Sequence, residues 1–204
     1  MTGAGQETEA KFYVRDLNRI KERLEELGGH VIQERVRETN LRFDLPDASL
    51  RAGGRVLRLR RDNEAKLTYK GAAHNLPGIL SREEIEFTVG DFDKAREFLE
   101  ALGYRRVFLY EKYRTVYELD QLHIMLDELP YGTFIEIEGE KGEAIQNLAE
   151  RLALDWQAAI ERSYSVLFEQ VQERMNLPFH DLSFENFSGV QVNPSDLHVR
   201  PADE

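Results

Sequence analysis

Glu7-Thr8-Glu9-Ala10-Lys11-Phe12-Tyr13-Val14 is the stretch of this 204-residue chain from which the fold can be inferred. Successive side chains of a β-strand point to opposite faces, so Glu7, Glu9 and Lys11 would share one charged face. Two carboxylates this close raise each other's pKa unless a cation neutralises them, and hard divalent cations prefer such oxygen ligands. One strand of this kind alone is more typical of a solvated outer surface. The pattern becomes informative because it recurs along the chain.

The composition indicates one domain of ordinary size, because 204 residues suffice to bury a core. The absence of cysteine excludes disulfides and thiolate metal sites. No apolar run is long enough to span a bilayer and residues 1–6 lack the features of a signal peptide, so we expect a soluble, cytoplasmic protein without a membrane partner. The net charge of −11 argues against binding nucleic acid through bulk charge.

Hydrophobic periodicity and turn residues predict eight strands and four helices. The predicted strands are residues 7–14, 30–44 with a break near Glu38, 56–61, 65–70, 81–89, 107–119, 122–129 and 133–139. The predicted helices are residues 16–27, 91–102, 142–152 and 157–175, and residues 71–78 are predicted as a flexible loop. Most strands are joined as hairpins, which favours the α+β class with a large antiparallel sheet, closed or nearly so, and helices packed outside.

The end of the chain differs in character from the rest. It mixes apolar residues such as Phe179, Phe184 and Phe187 with polar residues and prolines, and we predict mostly irregular structure there. We therefore divide the chain into a domain of residues 1–176 and a C-terminal extension of residues 177–204. The extension is interpreted as a passive surface strap, and its apolar residues leave a homodimer open as the alternative.

Nearly every predicted strand has one charged face and one apolar face. A flat sheet would expose the charged face to water, whereas a closed sheet with helices outside would turn it inward. The amphipathic helices need an apolar surface to pack on, which favours the closed sheet. The acids placed inside in this way are Glu7, Glu9, Glu84, Glu86, Asp127, Glu136 and Glu138. The bases placed inside are Lys11, Arg58, Arg60, Lys66, Lys70, Arg82, Lys112 and Arg114.

Charges of both signs inside a closed sheet suggest a particular ligand. Even paired buried ions often fail to offset the cost of their desolvation. A polyanion with its metal ions would balance them, because Arg and Lys bind phosphate oxygens and carboxylates bind Mg²⁺ or Mn²⁺, one or two per site. The chain has no Gly-rich phosphate loop, so side chains would form the site. The five histidines lack metal-ligand spacing and are interpreted as surface or packing residues.

Five motifs, in order along the chain, resemble those of one known family. They are Glu7-x-Glu9-x-Lys11, Leu57-Arg58-Leu59-Arg60, Leu67-Thr68-Tyr69-Lys70-Gly71, Arg82-Glu83-Glu84-Ile85-Glu86 and Phe134-Ile135-Glu136-Ile137-Glu138. Together they resemble the CYTH superfamily, also called the triphosphate tunnel metalloenzymes, which includes class IV adenylyl cyclases, thiamine triphosphatases and inorganic triphosphatases. Ser163-Tyr164 and the helix after it resemble the cyclase-like branch. The resemblance covers about residues 7–170.

The resemblance implies a closed eight-stranded antiparallel β-barrel, a tunnel that binds a triphosphate such as ATP or tripolyphosphate with Mg²⁺ or Mn²⁺. It implies metal ligands at Glu7, Glu9, Asp127, Glu136 and Glu138. It implies phosphate-binding residues at Lys11, Arg58, Arg60, Lys70, Lys112 and Arg114, of which the first four are the catalytic candidates. Strand register decides whether Lys66 and Arg82 add to the phosphate group and Glu84 and Glu86 to the metal group.

The leading functional hypothesis is an enzyme similar to class IV adenylyl cyclases, which convert ATP to cyclic AMP and pyrophosphate. The alternative is hydrolysis of tripolyphosphate, thiamine triphosphate or another triphosphate by the same tunnel. A third hypothesis is a protein that binds nucleotide or polyphosphate without turnover. The full set of candidate metal carboxylates makes this third hypothesis the least favoured.

Overall fold

A computed structural model of the protein describes residues 5–204, apart from the side chains of residues 5–7 and 75–76. The strands of this part of the chain are β1 (Gly5–Val14), β2 (His30–Asp44), β3 (Val56–Arg61), β4 (Ala65–Lys70), β5 (His74–Leu76), β6 (Ile79–Val89), β7 (Arg105–Leu119), β8 (Leu122–Leu129) and β9 (Gly132–Glu138). The helices are α1 (Leu17–Glu26), α2 (Ser49–Ala52), α3 (Phe92–Ala101), α4 (Gly142–Arg151) and α5 (Tyr164–Met175). Short 3₁₀ turns lie at Trp156–Ala158 and Pro194–Leu197.

Eight of the strands form an antiparallel ring of hydrogen bonds. Their order is β1-β9-β8-β7-β2-β3-β4-β6, and a further pairing of β6 with β1 closes the ring. The short β5 pairs only with β6. The predicted α+β class and the eight-stranded antiparallel sheet are confirmed. Alternation of side chains then gives every strand of the ring one face toward the interior.

The helices cover much of the outer face of the ring. Helix α1 begins after Asp16, whose carboxylate accepts hydrogen bonds from the backbone N–H groups of Asn18 and Arg19, and it buries Ile20 and Leu24 against the outer faces of β1, β8 and β9. Helices α3 and α4 likewise bury apolar stripes on the sheet. The outward side chains of Ile85 and Phe87 on β6 remain 45% and 53% exposed, so the outer layer is incomplete at this strand.

The segment before α5 corrects the predicted helix of residues 157–175. Helix α5 begins only at Tyr164, because the preceding chain crosses the edge of β1 and the Ile160 N–H donates to the Lys11 carbonyl at 2.8 Å. Two smaller differences concern the connections: the predicted loop of residues 71–78 contains β5, and the four-residue α2 lies between β2 and β3, where no helix was predicted. Strand β2 is continuous at Glu38, and its irregularities lie at Val31–Val36 and after Arg42.

The C-terminal residues complete the sheet where β1 leaves β6. Strand β6 pairs with β1 only as far as Glu9. Beyond that point the Ala202 N–H donates to the Tyr13 carbonyl at 2.9 Å, and the Asp203 carboxylate accepts from the N–H of Arg15 and of Asp16 at 2.9 to 3.0 Å. The chain end therefore supports the strand that carries Lys11.

No helix in the described part of the chain has the length and apolar character needed to cross a bilayer.

Candidate active site

The inward faces of the ring enclose a cavity of about 470 Å³. Sequence reasoning placed eight basic side chains inside, and all eight line this cavity: Lys11, Arg58, Arg60, Lys66, Lys70, Arg82, Lys112 and Arg114. They come from five different strands, and each faces inward because the strands alternate with period two. The register therefore brings Lys66 and Arg82 to the same cavity as the other basic residues.

The structure brings most, but not all, of the predicted acidic residues to the cavity. Five of them line the cavity: Glu9, Glu84, Glu86, Glu136 and Glu138. The side chain of Glu7 lies outside the described residues, although its backbone is in β1 opposite Arg82. Asp127 does not line the cavity.

Asp127 lies behind the cavity wall and serves as an acceptor for the basic residues. It is fully buried, and its carboxylate accepts from Lys112 Nζ at 2.9 Å, from Arg114 Nε at 2.6 Å and from Tyr164 Oη at 2.8 Å. A metal ion at Asp127 would have to displace these donors. The structure therefore places Asp127 as a counter-ion of Lys112 and Arg114, apart from the other carboxylates that were predicted as ligands.

Glu136 links Lys11 and Arg114 in a first cluster of charged side chains on the cavity wall. Lys11 Nζ lies 3.2 Å from Glu136 Oε1, and Arg114 donates to the other oxygen. Burial opposes ionisation of Glu136, yet Lys11 and Arg114 together hold its pKa well below the usual range. Burial also opposes the charge on Lys11, but Glu136 and Glu9 raise the Lys11 pKa above its ordinary value. Both groups are therefore ionised at neutral pH.

Glu86 organises a second cluster on the opposite wall. Its carboxylate lies 3.3 to 3.5 Å from Arg58, Arg60 and Lys66, and the Thr68 hydroxyl donates to it at 2.8 Å. Burial opposes its ionisation, but the two arginines lower the pKa of Glu86. Three basic groups thus converge on one carboxylate, which holds their side chains in place. Glu86 fits the role of counter-ion better than that of a metal ligand.

Glu38 is a site residue that sequence reasoning missed. It lines the cavity from β2, its side chain is 1% exposed, and it lies 3.6 to 3.9 Å from Lys112, Arg60 and Arg114. Burial disfavours its charge, but Lys112, Arg114 and Arg60 lower the pKa of Glu38 from 4.5 to about 2. Glu38, Asn40 and Arg42 alternate along β2 in the same way as the charges on the other strands. That signal was present in the sequence, but it was obscured by the predicted break at Glu38.

Tyr110 and the residues around the start of α5 also line the cavity and were not predicted. The Tyr110 hydroxyl accepts from Arg58 Nη1 at 3.4 Å, and although burial acts in the other direction, Arg58 and Lys112 lower the pKa of Tyr110. Arg162, Ser163 and Ser165 line the cavity beside it. They are close to β1 only because the chain crosses over before α5, which no periodicity in the sequence indicates. His123 also lines the cavity, with a half-exposed side chain, and had been interpreted as a surface residue.

The acidic residues of β1 and β9 fit a divalent cation whose coordination shell is completed by phosphate oxygens of a substrate. Glu9 and Glu138 are register partners on these neighbouring strands, and both line the cavity. Among the described side chains, no three acidic or histidine groups come close enough to hold a metal ion by themselves. Mg²⁺ is commonly bound by one or two carboxylates plus phosphate oxygens of a substrate, and this donor set meets that requirement.

Comparison with known proteins places the chain among relatives of one kind. Adenylate cyclase CyaB of Aeromonas hydrophila is 30% identical over 177 residues, which cover 80% of this chain and 89% of that protein. A solved structure of a candidate adenylate cyclase from Vibrio parahaemolyticus is 22% identical, with a TM-score of 0.74 over 81% of this chain and 99% of that chain. A candidate adenylyl cyclase from Hippeastrum, described as having a dominant triphosphatase activity, is 19% identical with a TM-score of 0.63, over 80% of this chain and 95% of that chain.

The two solved structures share the fold of this chain. A family model described as the CYTH domain matches residues 5–164, which include every strand of the ring. The protein therefore belongs to the CYTH family.

Proposed function

We propose that this protein is a divalent-metal-dependent enzyme that acts on a triphosphate, and that it converts ATP to cyclic AMP and pyrophosphate as class IV adenylyl cyclases do. The observation that carries the proposal is the convergence of eight basic side chains from five strands on one cavity of about 470 Å³. A triphosphate carries several negative charges along a short chain, and it matches basic groups that surround it from all sides. The similarity to adenylate cyclase CyaB supports the reaction.

The chain's own residues would bind the phosphates and stabilise the charge that develops during reaction. Arg58 and Arg60 present planar donor groups, and Glu86 holds both in fixed positions. Lys11, held by Glu136, adds a cation from the opposite wall. Fixed donors of this kind stabilise a transition state without reorganising, which is the main contribution of proteins to phosphoryl transfer.

Glu9 and Glu138 are the residues that would hold the metal, with Glu136 beside them and Glu7 preceding them on β1. A bound Mg²⁺ or Mn²⁺ would neutralise phosphate charge and polarise the phosphorus that is attacked. Glu84 and Glu86 are proposed as counter-ions, since they lie within 3.5 Å of Lys70 and of Arg58, Arg60 and Lys66. Asp127 is proposed as a buried counter-ion for the reason given above.

The second candidate function is hydrolysis of a triphosphate. The activity described for the Hippeastrum protein favours it, since that protein has the same fold. The two reactions would use the same basic cavity and differ in the nucleophile: the 3′-hydroxyl of the nucleotide attacks the α-phosphorus in the first, and water attacks the terminal phosphorus in the second. Binding of a triphosphate without turnover is the third candidate.

A product assay distinguishes these functions. Purified protein is incubated with ATP or tripolyphosphate and either Mg²⁺ or Mn²⁺, and the products are resolved by chromatography. Cyclic AMP with pyrophosphate is the expected result with ATP. Release of phosphate without cyclic AMP would replace the cyclase with the triphosphatase, and binding without any product would overturn the proposal of an enzyme.

A matched variant pair links the assay to the cavity. Lys70→Ala removes a basic group from the inner face of β4, whereas Lys94→Ala removes the same charge from the outer helix α3. We expect loss of turnover only in the first. Equal turnover in both variants would place the chemistry outside this cavity.

A further inference from the structure

The basic side chains in the interior of the cavity have carboxylate partners, whereas two basic side chains at one end have none among the described residues. Each of the eight basic side chains listed above has at least one carboxylate within 4.0 Å. Two further basic residues line the same cavity, Arg42 on β2 and Arg162 just before α5. Among the residues that the structure describes, no carboxylate lies within 4.0 Å of either guanidinium.

In the described part of the chain, the hydrogen bonds that these two guanidinium groups donate all go to neutral groups. Arg42 Nη1 donates to the Ser165 hydroxyl. Arg162 donates to the side-chain oxygen of Gln170 and, at 2.8 Å, to the His198 carbonyl. Burial lowers the pKa of Arg42, and Arg82 and Arg51 act in the same direction, whereas Tyr110 and Glu169 act against it. An anion between these groups would reverse that cost.

Two acids of this region, Glu161 and Glu169, have other partners. The Glu161 carboxylate accepts from the Gly78 N–H at 3.2 Å, and Glu169 is paired with Arg51 at 2.9 Å. Neither side chain reaches Arg42 or Arg162 as an ion-pair partner in the described structure. Glu161 lines the cavity as a single negative charge against the two guanidinium groups, so a positive excess remains at this end, in contrast to the net charge of −11 of the whole chain.

The first turn of α5 adds to the same positive region. Ser163, Tyr164 and Ser165 line the cavity, and the N-cap residue Ser163 makes no side-chain capping bond. The N–H groups of a first helical turn carry partial positive charge, which supports the two guanidinium groups. The Lys11 ammonium donates to the Arg162 carbonyl at 3.3 Å, so this region is continuous with the basic interior.

We propose that Arg42, with Arg162 beside it, binds the outermost phosphate group of the triphosphate at the end of the cavity next to α5. This inference rests on the proposed function, because it assigns one end of the proposed ligand. The inner phosphates lie among basic groups that already have counter-ions. The outermost phosphate carries the most negative charge of the chain and meets the two guanidinium groups that lack a carboxylate partner. The distal end of the phosphate chain therefore points toward α5.

Binding of tripolyphosphate itself tests this inference without turnover. Titration calorimetry on the 204-residue chain in EDTA compares wild type with Arg42→Ala and Arg42→Lys. A hydrogen bond to a charged group contributes enough that we expect Arg42→Ala to weaken tripolyphosphate binding at least about tenfold. Arg42→Lys keeps the charge but loses the planar donor pair, so partial recovery is expected. Arg96→Ala, on the outer face of α3, removes an equal charge far from the cavity and should bind like wild type.

The outcomes separate this inference from the proposed function. If wild type does not bind tripolyphosphate in EDTA, the titrations are repeated with Mg²⁺. Absence of binding under that condition as well makes the proposed function fail, and the assignment of its outer phosphate fails with it. If wild type binds and Arg42→Ala binds equally well, only the role of Arg42 is overturned. An equal loss in Arg96→Ala would assign the effect to bulk charge and overturn it as well. Circular dichroism and thermal unfolding of each variant establish that the fold is intact.

Discussion

Glu38 couples the basic side chains of β3 and β7 through a single buried carboxylate. It lies within 4.0 Å of Lys112, Arg60 and Arg114, and its pKa is lowered from 4.5 to about 2. A carboxyl whose pKa is lower in the folded state stabilises the fold once the pH exceeds its unfolded pKa. This contribution is complete above about pH 4.5 and is lost as the pH falls toward 2. The difference between the two pKa values corresponds to about 3 kcal/mol.

Glu38→Gln removes that ionisable group and should change the pH dependence of stability. At pH 7 we expect the free energy of unfolding to fall by about 3 kcal/mol, measured by urea denaturation. The gap between wild type and variant should narrow as the pH is lowered from 5 toward 3, because Glu38 of the unfolded chain takes up its proton in this range while the folded carboxylate stays ionised. Glu64→Gln, in the exposed turn between β3 and β4, should follow wild type. A gap that stays constant across this range would contradict the assignment to Glu38.

Arg58 is the residue whose removal should separate activity from stability. Its partner Glu86 keeps Arg60, Lys66 and Thr68, so the local network survives the loss of Arg58. We expect Arg58→Ala to lower kcat/KM for the triphosphate by at least about a hundredfold, the size found for loss of one transition-state donor.

Arg61, three residues further along β3, provides the control for this prediction. It follows on the same strand with its side chain outside, against the ring of Phe92. Arg61→Ala should retain wild-type kcat/KM. Wild-type turnover by a folded Arg58→Ala variant would exclude Arg58 from the chemistry.

Alternation along the strands accounts for most of what could be predicted of the site. Lys66 and Lys70 were assigned inward from spacing alone, and both line the cavity. Spacing gives the face of a residue but not its depth, so it could not separate Asp127, which lies behind the wall, from Glu136, which faces the cavity. It also could not reveal Arg162, because that residue reaches the cavity through a crossover segment with no periodic pattern.

The C-terminal extension is a whole segment whose packing could not be predicted, because it has no periodic pattern. Sequence reasoning predicted mostly irregular structure for residues 177–204, and the one helical segment described there is the 3₁₀ turn Pro194–Leu197. The interpretation as a passive strap rested on how often chain termini have no function. Leu182, Phe187 and Leu197 are nevertheless buried in a cluster with α5. An irregular segment has no repeat from which its buried side can be inferred. The division of the chain at residue 176 stays a prediction, as does the homodimer.

Leu182→Ala tests whether the extension is part of the stable fold. Leu182 is fully buried, its N–H donates to the Leu109 carbonyl and its carbonyl accepts from the Glu111 N–H, both at 2.9 Å. We expect the free energy of unfolding to drop by about 2–5 kcal/mol, as for other buried Leu→Ala changes. A cooperative shift of the whole denaturation curve is expected, since the extension packs on the same core. Gln191→Ala, an exposed change in the same segment, should have little effect. A change below about 0.5 kcal/mol in Leu182→Ala would contradict this prediction and indicate that the extension adds little to the stability of the fold.

The whole molecule combines an acidic exterior with a basic cavity. The chain carries a net charge of −11, yet the cavity wall gathers ten Lys and Arg side chains. Acidic residues between these side chains limit their repulsion without neutralising the wall completely. Because the ring is closed by hydrogen bonds between β1 and β6, the wall cannot open at a free edge to relieve that repulsion. Binding of a polyanion inside the ring should therefore stabilise the entire fold.

Thermal unfolding with and without tripolyphosphate measures this coupling. A ligand present at a hundred times its dissociation constant stabilises the folded state by about 2.7 kcal/mol, so Tm should rise by several degrees. Added salt should reduce the rise only partly, because charges inside the cavity are screened less than exposed ones. Sodium sulfate at equal ionic strength provides the comparison, since its short anion cannot contact both walls of the cavity at once. An equal rise in Tm with sulfate would mean that general salt effects, and not occupation of the ring by a phosphate chain, stabilise the protein.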